Sequence, residues 1–268
     1  MITTILLNGE PSDGRIPVTD SSVLRGDGCF EVLKSYGGCP FALDRHLDRL
    51  ERSAKALEIE LPPRESLTAW VVATSEELGD GAVRVVVTRG PSIAGMTGAP
   101  NVIVFGHPWQ FSGEPGRLLP VVAPWHAAGV DWQLAGAKLL SYAPNLAASR
   151  EAKAAGFDDA LLITQESVIL EGPTFSIAWM AGDVLETPGL DMGILDSITR
   201  GVALDLARDL GIEVSEGRFD LARLGAASEV IALSTIREIQ PVVMVGDREW
   251  APGPVTGRIA DAFNSLTG

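Results

Sequence analysis

The stretch GAKLLSYAPNLAASREAKAAG, from Gly136 to Gly156, joins an apolar loop to the start of a helix. Lys138 stands in the loop between Ala137 and Leu139, before the helical pattern begins. Because apolar surroundings disfavour a charged ammonium group, we expect desolvation to lower the pKa of Lys138 and free its amine to attack a carbonyl. At this point an ordinary surface lysine in a loop is the better-supported explanation of the stretch.

Lysine is scarce in this chain, which limits the candidates for a reactive amine. Of the 21 Lys and Arg residues four are lysines, namely Lys34, Lys55, Lys138 and Lys153. Lys55 and Lys153 lie on charge-rich helical segments, where a solvated face explains them, and Lys34 follows an apolar strand-like run. Lys34 is therefore less clear, and only Lys138 lies in a locally apolar loop flanked by glycine.

Composition and charge exclude several classes of protein. The net charge of −14 comes without a basic stripe, which argues against a nucleic-acid partner. No apolar run reaches the roughly 18 to 20 residues of a membrane span, and the N-terminus has no basic leader, so we expect a cytoplasmic protein without a membrane partner. The three histidines share no metal-ligand spacing, and we expect no metal. Cys29 and Cys39 are interpreted as small core residues.

Strand-like and helical segments alternate irregularly along the chain. Residues 83–89 and 101–106 are rich in β-branched side chains, and residues 43–59 carry leucines at helical spacing. A second helix is predicted after Pro62 and Pro63, a hairpin over residues 159–172, and further helices over about 196–210 and 255–266. Because strands outnumber possible crossover helices, we expect mixed or partly antiparallel sheets in an α/β (α+β) fold. Gly, Pro and Ser gather around residues 107–120, so we predict an N-terminal domain 1–106, a linker 107–120 and a C-terminal domain 121–268.

Polar groups that suit a phosphorylated ligand follow Lys138 along the chain. Glu171 ends a predicted strand, and Ser197, Ile198 and Thr199 stand where a helix begins. The first backbone N–H groups of a helix and its dipole attract phosphate. Thr235, in a later turn, can add a hydroxyl. An amine, a carboxylate and a phosphate cradle together indicate one ligand.

These motifs resemble the class IV, or fold-type IV, pyridoxal-phosphate enzymes, which include branched-chain and D-amino-acid aminotransferases and 4-amino-4-deoxychorismate lyase. The resemblance rests on Lys138 with SYAPN, Glu171 with Gly172, GILDSITR and STIREIQPV, in that order. RGDGCFEVLK and RHLDRLERSA also match the family's N-terminal pattern, so the resemblance runs nearly from end to end. It implies a two-domain fold, with pyridoxal 5'-phosphate in the interdomain cleft, and a homodimer.

The resemblance also assigns roles to individual residues. Lys138 would form a Schiff base with the cofactor aldehyde and later move the substrate α-proton. Tyr142 would hydrogen-bond the phenolic oxygen, and Glu171 would face the pyridine nitrogen. Arg49 would bind the phosphate. The rest of the phosphate cup would be formed by Ser197, Ile198 and Thr199 at the helix start, and by the side chain of Thr235.

Each role has an alternative that the residues leave open. Arg49 could be a solvated helix arginine that pairs with Asp48 or Glu51, Tyr142 a packing residue and Glu171 a turn carboxylate. Phe30 and Arg89 are candidate substrate contacts, Arg89 for a carboxylate, although a strand-end arginine is the other explanation.

The chain also departs from the family pattern in two places. Ser176 stands where many members have Asn, and Ser197 where Gly is common. We expect these changes to reshape the edge of the pocket.

The expected activity is amino transfer from a small or apolar amino donor to a 2-keto acid. 4-Amino-4-deoxychorismate lyase, which releases pyruvate and 4-aminobenzoate, is the alternative. A non-catalytic cofactor- or metabolite-binding protein is a remote one, because a sensor need not hold both an imine-forming amine and an acid for the ring nitrogen. A nucleotide-binding enzyme is disfavoured, since no G-x-x-x-x-G-K-[ST] loop occurs.

Overall fold

The computed structural model describes residues 2–92 and 98–267 and divides the chain into two compact units. Unit 1 comprises Met1–Gln110 and Ala137–Tyr142, and unit 2 comprises Phe111–Gly136 and Ala143–Gly268. No helix among the described residues has both the length and the apolar composition needed to cross a membrane.

Unit 1 is a six-stranded antiparallel sheet with helices on one face. Its strands and helices are β1 (Ile5–Leu7), β2 (Glu10–Ser12), α1 (Ser21–Arg25), β3 (Gly28–Tyr36), β4 (Cys39–Pro40), α2 (Leu43–Ala56), α3 (Arg64–Leu78), β5 (Gly81–Thr88) and β6 (Asn101–His107). The strand order is β2-β1-β6-β5-β3-β4. Alternate residues of β3, β5 and β6 point towards α2 and α3, where Leu33, Val85 and Val104 pack with Leu47 and Leu50 in a core closed to solvent.

Unit 2 is built on an eight-stranded mixed sheet. Its elements are β7 (Gly116–Val122), α4 (Ala143–Ala154), β8 (Asp159–Ile163), β9 (Ser176–Ala181), β10 (Val184–Pro188), α5 (Ile198–Asp209), β11 (Glu213–Gly217), β12 (Ala227–Ser234), β13 (Glu238–Val245), β14 (Arg248–Glu249) and α6 (Pro254–Thr267). The main path runs β11-β10-β9-β12-β13-β7-β8, and β14 pairs with β13. Pairs β10–β11, β13–β7 and β7–β8 are parallel and the others antiparallel, which confirms the predicted mixed α/β class.

The predicted elements form close to their expected positions. The helix predicted over residues 43–59 is α2, which ends at Ala56 because Glu58 takes a positive φ of 56°. The predicted hairpin over residues 159–172 is present: the Leu162 and Leu170 N–H groups donate to the carbonyls of Glu171 and Leu162. This hairpin places Glu171 beside β8.

The division into two units differs from the predicted domain boundaries in one short segment and at the linker. Residues 137–142, predicted in the C-terminal domain, group with unit 1. They run antiparallel to the free edge of β3, where Cys29 bridges Leu139, and backbone bonds join Phe30 N to Lys138 O and Leu140 N to Gly28 O. The predicted linker contributes its first residues to unit 1 and the start of β7 to unit 2.

One of the two cysteine predictions is wrong. Cys29 is fully buried in the core of unit 1, as expected, but Cys39 is exposed. Cys39 lies in the two-residue edge strand β4, whose outward position a residue type cannot reveal. Burial, together with the charge of Glu31, raises the pKa of the Cys29 thiol to about 12.

Candidate active site

Lys138 is held in place by unit 1 through its own backbone. Its carbonyl accepts a hydrogen bond from Phe30 N at 3.0 Å, and its N–H donates to Ser53 Oγ of α2, also at 3.0 Å. Gly28 allows this close approach, because a Cβ there would lie 2.7 Å from Leu140 Cδ1 in the same loop. The loop that carries Lys138 is therefore fixed to both the sheet edge and a helix.

The Lys138 amine lies among aromatic side chains. Its Nζ is 4.5 Å from the Phe30 ring centroid and 5.7 Å from that of Tyr142. The two rings meet edge to face at 5.3 Å. The structure thus brings together three of the residues predicted from sequence, Lys138, Tyr142 and Phe30.

Arg49 is a buried member of an ion pair in unit 1. Its Nε and Nη2 donate to the two carboxylate oxygens of Glu31, at 2.7 and 2.8 Å, and His46 Nδ1 lies 2.8 Å from Glu31 Oε2. Glu31 is fully buried and Arg49 is 4% exposed. Arg49 is therefore not a solvated helix arginine, and Asp48 and Glu51 both accept hydrogen bonds from Arg64.

In the cluster formed by Glu31, His46 and Arg49, the pKa values of Glu31 and His46 are lowered from their ordinary values. Burial alone would raise the pKa of Glu31, but the Arg49 charge and the hydrogen bonds from Arg49 and His46 outweigh burial and hold that pKa well below its usual range. Burial lowers the pKa of His46, and the hydrogen bond and charge of Glu31 offset this only in part. The cluster therefore favours an anionic Glu31 with a cationic Arg49.

Arg89, predicted as a carboxylate receptor, already has a carboxylate. Its Nε lies 2.5 Å from Asp27 Oδ2 and its Nη2 3.1 Å from Asp27 Oδ1. Nη2 also donates to the Leu57 carbonyl at 2.5 Å. This bidentate ion pair neutralises Arg89 and fixes the turn at Arg25–Asp27.

Glu171 lies in unit 2, where backbone and imidazole groups surround its carboxylate. The Leu195 N–H is 3.2 Å from each of the two oxygens, and His126 Nε2 is 3.4 Å from Oε1. The last contact is a hydrogen bond in the tautomer with a proton on Nε2. His126 Nδ1 is buried and has no hydrogen-bond partner among the described residues.

The predicted phosphate cup also lies in unit 2. Ser197 is the N-cap of α5, where its hydroxyl accepts from Arg200 N at 3.3 Å. Ile198 and Thr199 follow it and are buried, at 6% and 3% exposure. Their N–H groups are the first of the helix and so have no intrahelical acceptor, which suits a bound phosphate.

The turn between β12 and β13 carries Thr235 and is anchored by Arg237. Arg237 Nη2 contacts Asp159 Oδ2 at 2.5 Å, and its guanidinium lies 4.6 Å from the Phe175 ring centroid. Ser176, the departure noted in the sequence, is buried, and its Oγ lacks a hydrogen-bond partner among the described residues. A buried hydroxyl without a partner is available to a ligand or a water.

Three residues that contact the predicted site residues Arg49 and Glu171 were not predicted from the sequence, namely Glu31, His46 and His126. Glu31 gives no signal, because a single glutamate in an apolar strand does not reveal which helix it faces. His46 and His126 were assigned no catalytic role for want of metal-ligand spacing, although His46 stands three residues before Arg49 on one helical face. His126 is 45 residues from Glu171, and only the fold brings them together.

Known proteins are similar to this chain over most of its length. The family described as amino-transferase class IV matches residues 28–245. A putative branched-chain-amino-acid aminotransferase of Methanocaldococcus jannaschii is 33% identical, over 98% of this chain and 96% of that protein. The aminodeoxychorismate lyase of Bacillus subtilis is 29% identical, over 98% and 92%.

Solved structures agree with this chain in fold. A fold IV-transaminase, CpuTA1, from Curtobacterium pusillum has a TM-score of 0.88 at 29% identity, covering 100% of this chain and 99% of that one. The branched-chain aminotransferase of the archaeon Thermoproteus uzoniensis, solved with norvaline, has a TM-score of 0.89 at 27% identity, covering 98% and 94%.

Proposed function

The chain belongs to the class IV aminotransferases, and on this premise we propose that it moves an amino group from a small or apolar amino donor to a 2-keto acid. The proposed cofactor is pyridoxal 5'-phosphate. The observation that carries the proposal is the Lys138 amine, held over Phe30 and beside Tyr142 by a fixed loop.

Lys138 has the two properties that a cofactor-binding lysine needs. Its backbone is tied to β3 and to Ser53, so the direction of the side chain is set before any ligand binds. Its Nζ lies over the Phe30 ring and beside the Tyr142 ring, so the amine is placed against an aromatic surface. In the proposed mechanism Lys138 would hold the cofactor through its aldehyde, and its Nζ would accept the proton from the donor Cα.

When bound, the cofactor supplies an electron-withdrawing ring conjugated to the substrate nitrogen. Glu171 would keep the ring nitrogen protonated, because a carboxylate accepts that N–H as a charge-assisted hydrogen bond. The Leu195 N–H and His126 hold the Glu171 carboxylate in one orientation. Tyr142 would donate to the phenolic oxygen.

The phosphate would be held by two kinds of group. Backbone N–H groups of Ile198 and Thr199, and the hydroxyl of Thr235, would donate hydrogen bonds to its oxygens. Arg49 would add a positive charge. Because Glu31 fixes the Arg49 guanidinium through two hydrogen bonds, that charge is positioned in advance.

Aminodeoxychorismate lyase is the second candidate, favoured by the similarity to the Bacillus subtilis enzyme over nearly the whole chain. The same lysine serves both reactions up to the removal of the α-proton. They separate in the next step, where a transaminase releases a keto acid and a lyase expels pyruvate.

One experiment separates the two activities. Purified protein loaded with pyridoxal phosphate is mixed with single amino donors and no acceptor, while the absorption spectrum of the bound cofactor is followed. A parallel sample receives aminodeoxychorismate and is assayed for pyruvate. Conversion to the pyridoxamine form supports the proposal. Rapid pyruvate release with no conversion by any donor would contradict it and select the lyase.

We also propose that the protein works as a homodimer, since closed two-fold dimers are the commonest soluble oligomers and the family resemblance implies one. Light scattering at the concentration of the activity assay tests this directly. An active monomer would contradict it.

A further inference from the structure

The turn between β12 and β13 contains Arg237, a half-buried residue whose side chain is 19% exposed. The turn, residues 235–237, joins Ser234 to Glu238, which stand opposite each other in the β12–β13 pairing. The Arg237 N–H donates to the Ser234 hydroxyl at 3.2 Å. Because Arg237 stands only two residues after Thr235, the position of its side chain constrains the position of Thr235.

The Arg237 guanidinium has three partners, which lie on different parts of unit 2. Its Nη2 contacts Asp159 Oδ2 of β8 at 2.5 Å, and its Nη1 donates to Gln240 Oε1 of β13 at 3.3 Å. Its Cζ lies 4.6 Å from the Phe175 ring centroid. Arginine suits this arrangement, because a planar guanidinium forms hydrogen bonds in its plane while an aromatic ring contacts its face. Together the three contacts fix the side chain in one orientation.

The two polar partners are themselves held in place. Asp159 is 5% exposed, and its Oδ1 accepts a hydrogen bond from Ser149 Oγ of α4 at 2.7 Å. The Gln240 side-chain amide donates to the Glu114 carbonyl at 2.7 Å. Because each partner has a second bond elsewhere in unit 2, Arg237 is attached to fixed groups.

The Phe175 ring connects Arg237 to the segment that carries Glu171. Gly172, which directly follows Glu171, donates from its N–H to the Phe175 carbonyl at 2.7 Å. The Phe175 ring also occupies the space that a Cβ at residue 172 would take. Through this ring, the turn that carries Thr235 is linked to the segment that carries Glu171.

The positive charge of Arg237 is neutralised by Asp159. Both groups are shielded from solvent, and a buried arginine–carboxylate pair has a net charge of zero. A phosphate bound nearby would gain little from the charge of Arg237. Arg237 therefore acts on a bound phosphate through the position of Thr235, and its own charge contributes little.

We propose that Arg237 is a positioning residue for the cofactor phosphate: it fixes the turn that places the Thr235 hydroxyl, and so sets the affinity for pyridoxal 5'-phosphate. The proposal rests on the proposed function above, which assigns Thr235 to the phosphate. A donor that is held in its binding geometry before the ligand arrives contributes more to affinity, because ordering it afterwards costs binding free energy. The Phe175 contact fixes the turn relative to Glu171, so that both ends of the cofactor are bound at once.

The test compares two ligands that differ only in the phosphate. Purified protein freed of cofactor is titrated with pyridoxal 5'-phosphate and with pyridoxal, and the absorption spectrum gives each dissociation constant. Arg237→Gln should raise the dissociation constant for pyridoxal phosphate by about 10- to 100-fold, and that for pyridoxal by less than about threefold. Arg237→Lys, which keeps the charge but has no planar fork, should give an intermediate value.

Replacing Asp159 by Ala separates positioning from direct charge attraction by the sign of its effect. The variant removes a negative charge and releases the guanidinium from its main anchor. If Arg237 acts through the turn, pyridoxal phosphate should bind about 10-fold more weakly. If the guanidinium binds the phosphate itself, the added positive charge should make pyridoxal phosphate bind more tightly, and that result would overturn the inference.

Arg223→Gln is the matched control, because it breaks a similar arginine–carboxylate pair in unit 2. Arg223 Nη2 contacts Glu186 Oε1 at 2.5 Å, and Glu186 is 5% exposed, as Asp159 is. The control should leave both dissociation constants unchanged, while urea unfolding of the cofactor-free proteins measures the stability that each variant loses. Equal weakening of pyridoxal phosphate binding in Arg223→Gln and Arg237→Gln would identify general destabilisation as the cause and overturn the inference.

The remaining outcomes also decide the matter. If Arg237→Gln does not fold, the double variant Arg237→Gln with Asp159→Asn, which leaves no unpaired buried charge, takes its place. If the variant weakens binding of both ligands equally, or of neither, the inference fails while the aminotransferase function stands. If the wild-type protein binds neither ligand, the proposed function itself fails, and the inference fails with it.

Discussion

Replacing Glu31 by Gln should destabilise the protein severely, although it changes only one oxygen to an NH₂ group. Glu31 is fully buried, and its carboxylate accepts two hydrogen bonds from Arg49 and contacts His46, all within 2.8 Å. Without the negative charge, the buried Arg49 guanidinium loses its counter-ion. Breaking a buried pair in this way costs about 3 to 5 kcal/mol, a large part of the roughly 5 to 15 kcal/mol that stabilises a typical domain.

Urea unfolding, followed by circular dichroism with and without pyridoxal phosphate, measures the loss. Glu51→Gln is the matched control, on the helix that carries Arg49. Its ion pair with Arg64 is 3.0 Å long but 44% and 32% exposed, so its removal should cost at most about 1 kcal/mol. Adding Arg49→Met to Glu31→Gln should recover part of the loss, since no unpaired charge then remains. A loss for Glu31→Gln no larger than that for Glu51→Gln would refute the reasoning.

Three further predictions test other parts of the account. Iodoacetamide should label native protein once, at the exposed Cys39, and a second time only after unfolding, because Cys29 is fully buried with its thiol pKa raised to about 12; mass spectrometry that finds both labelled in the native state would contradict this. Glu171→Gln should retain the cofactor but lose most turnover, because an amide cannot hold the ring nitrogen protonated, and the nitrogen-15 shift of labelled cofactor should report the lost proton; an unchanged shift would argue against the role. Because the pKa of His46 is lowered in the folded state, the unfolded chain binds that proton more readily, so the free energy of unfolding should fall as pH drops below the ordinary histidine value of about 6.5. His46→Gln should flatten this pH dependence. An equal pH dependence in both proteins would show that a group other than His46 causes it.

Local patterns were sufficient to predict most of the fold. The leucine spacing of α2 and the β-branched runs of β5 and β6 are properties of short segments, and each segment forms as expected. The grouping of residues 137–142 with unit 1 was not predictable, because their partner, the edge of β3, lies more than a hundred residues away. The backbone pairing of residues 137–142 does not require particular side chains, so their composition does not indicate it.

The part of the candidate site that could be predicted from sequence is the lysine, because its residue type is rare in this chain. Lys138 is distinctive because the chain has few lysines and this one stands in an apolar loop rather than on a charge-rich helix. The ion pair of Glu31 with Arg49 could not be predicted, since its members are 18 residues apart on a strand and a helix whose packing decides the contact.

Reduction with borohydride tests the central claim, that Lys138 holds the cofactor, most directly. Protein incubated with pyridoxal phosphate is reduced, digested and analysed by mass spectrometry, with Lys138→Ala as the control. We predict that the cofactor mass is found on the peptide containing Lys138 and is absent from the variant. Cofactor attached at Lys34, or attached to no peptide of the wild-type protein, would contradict the claim.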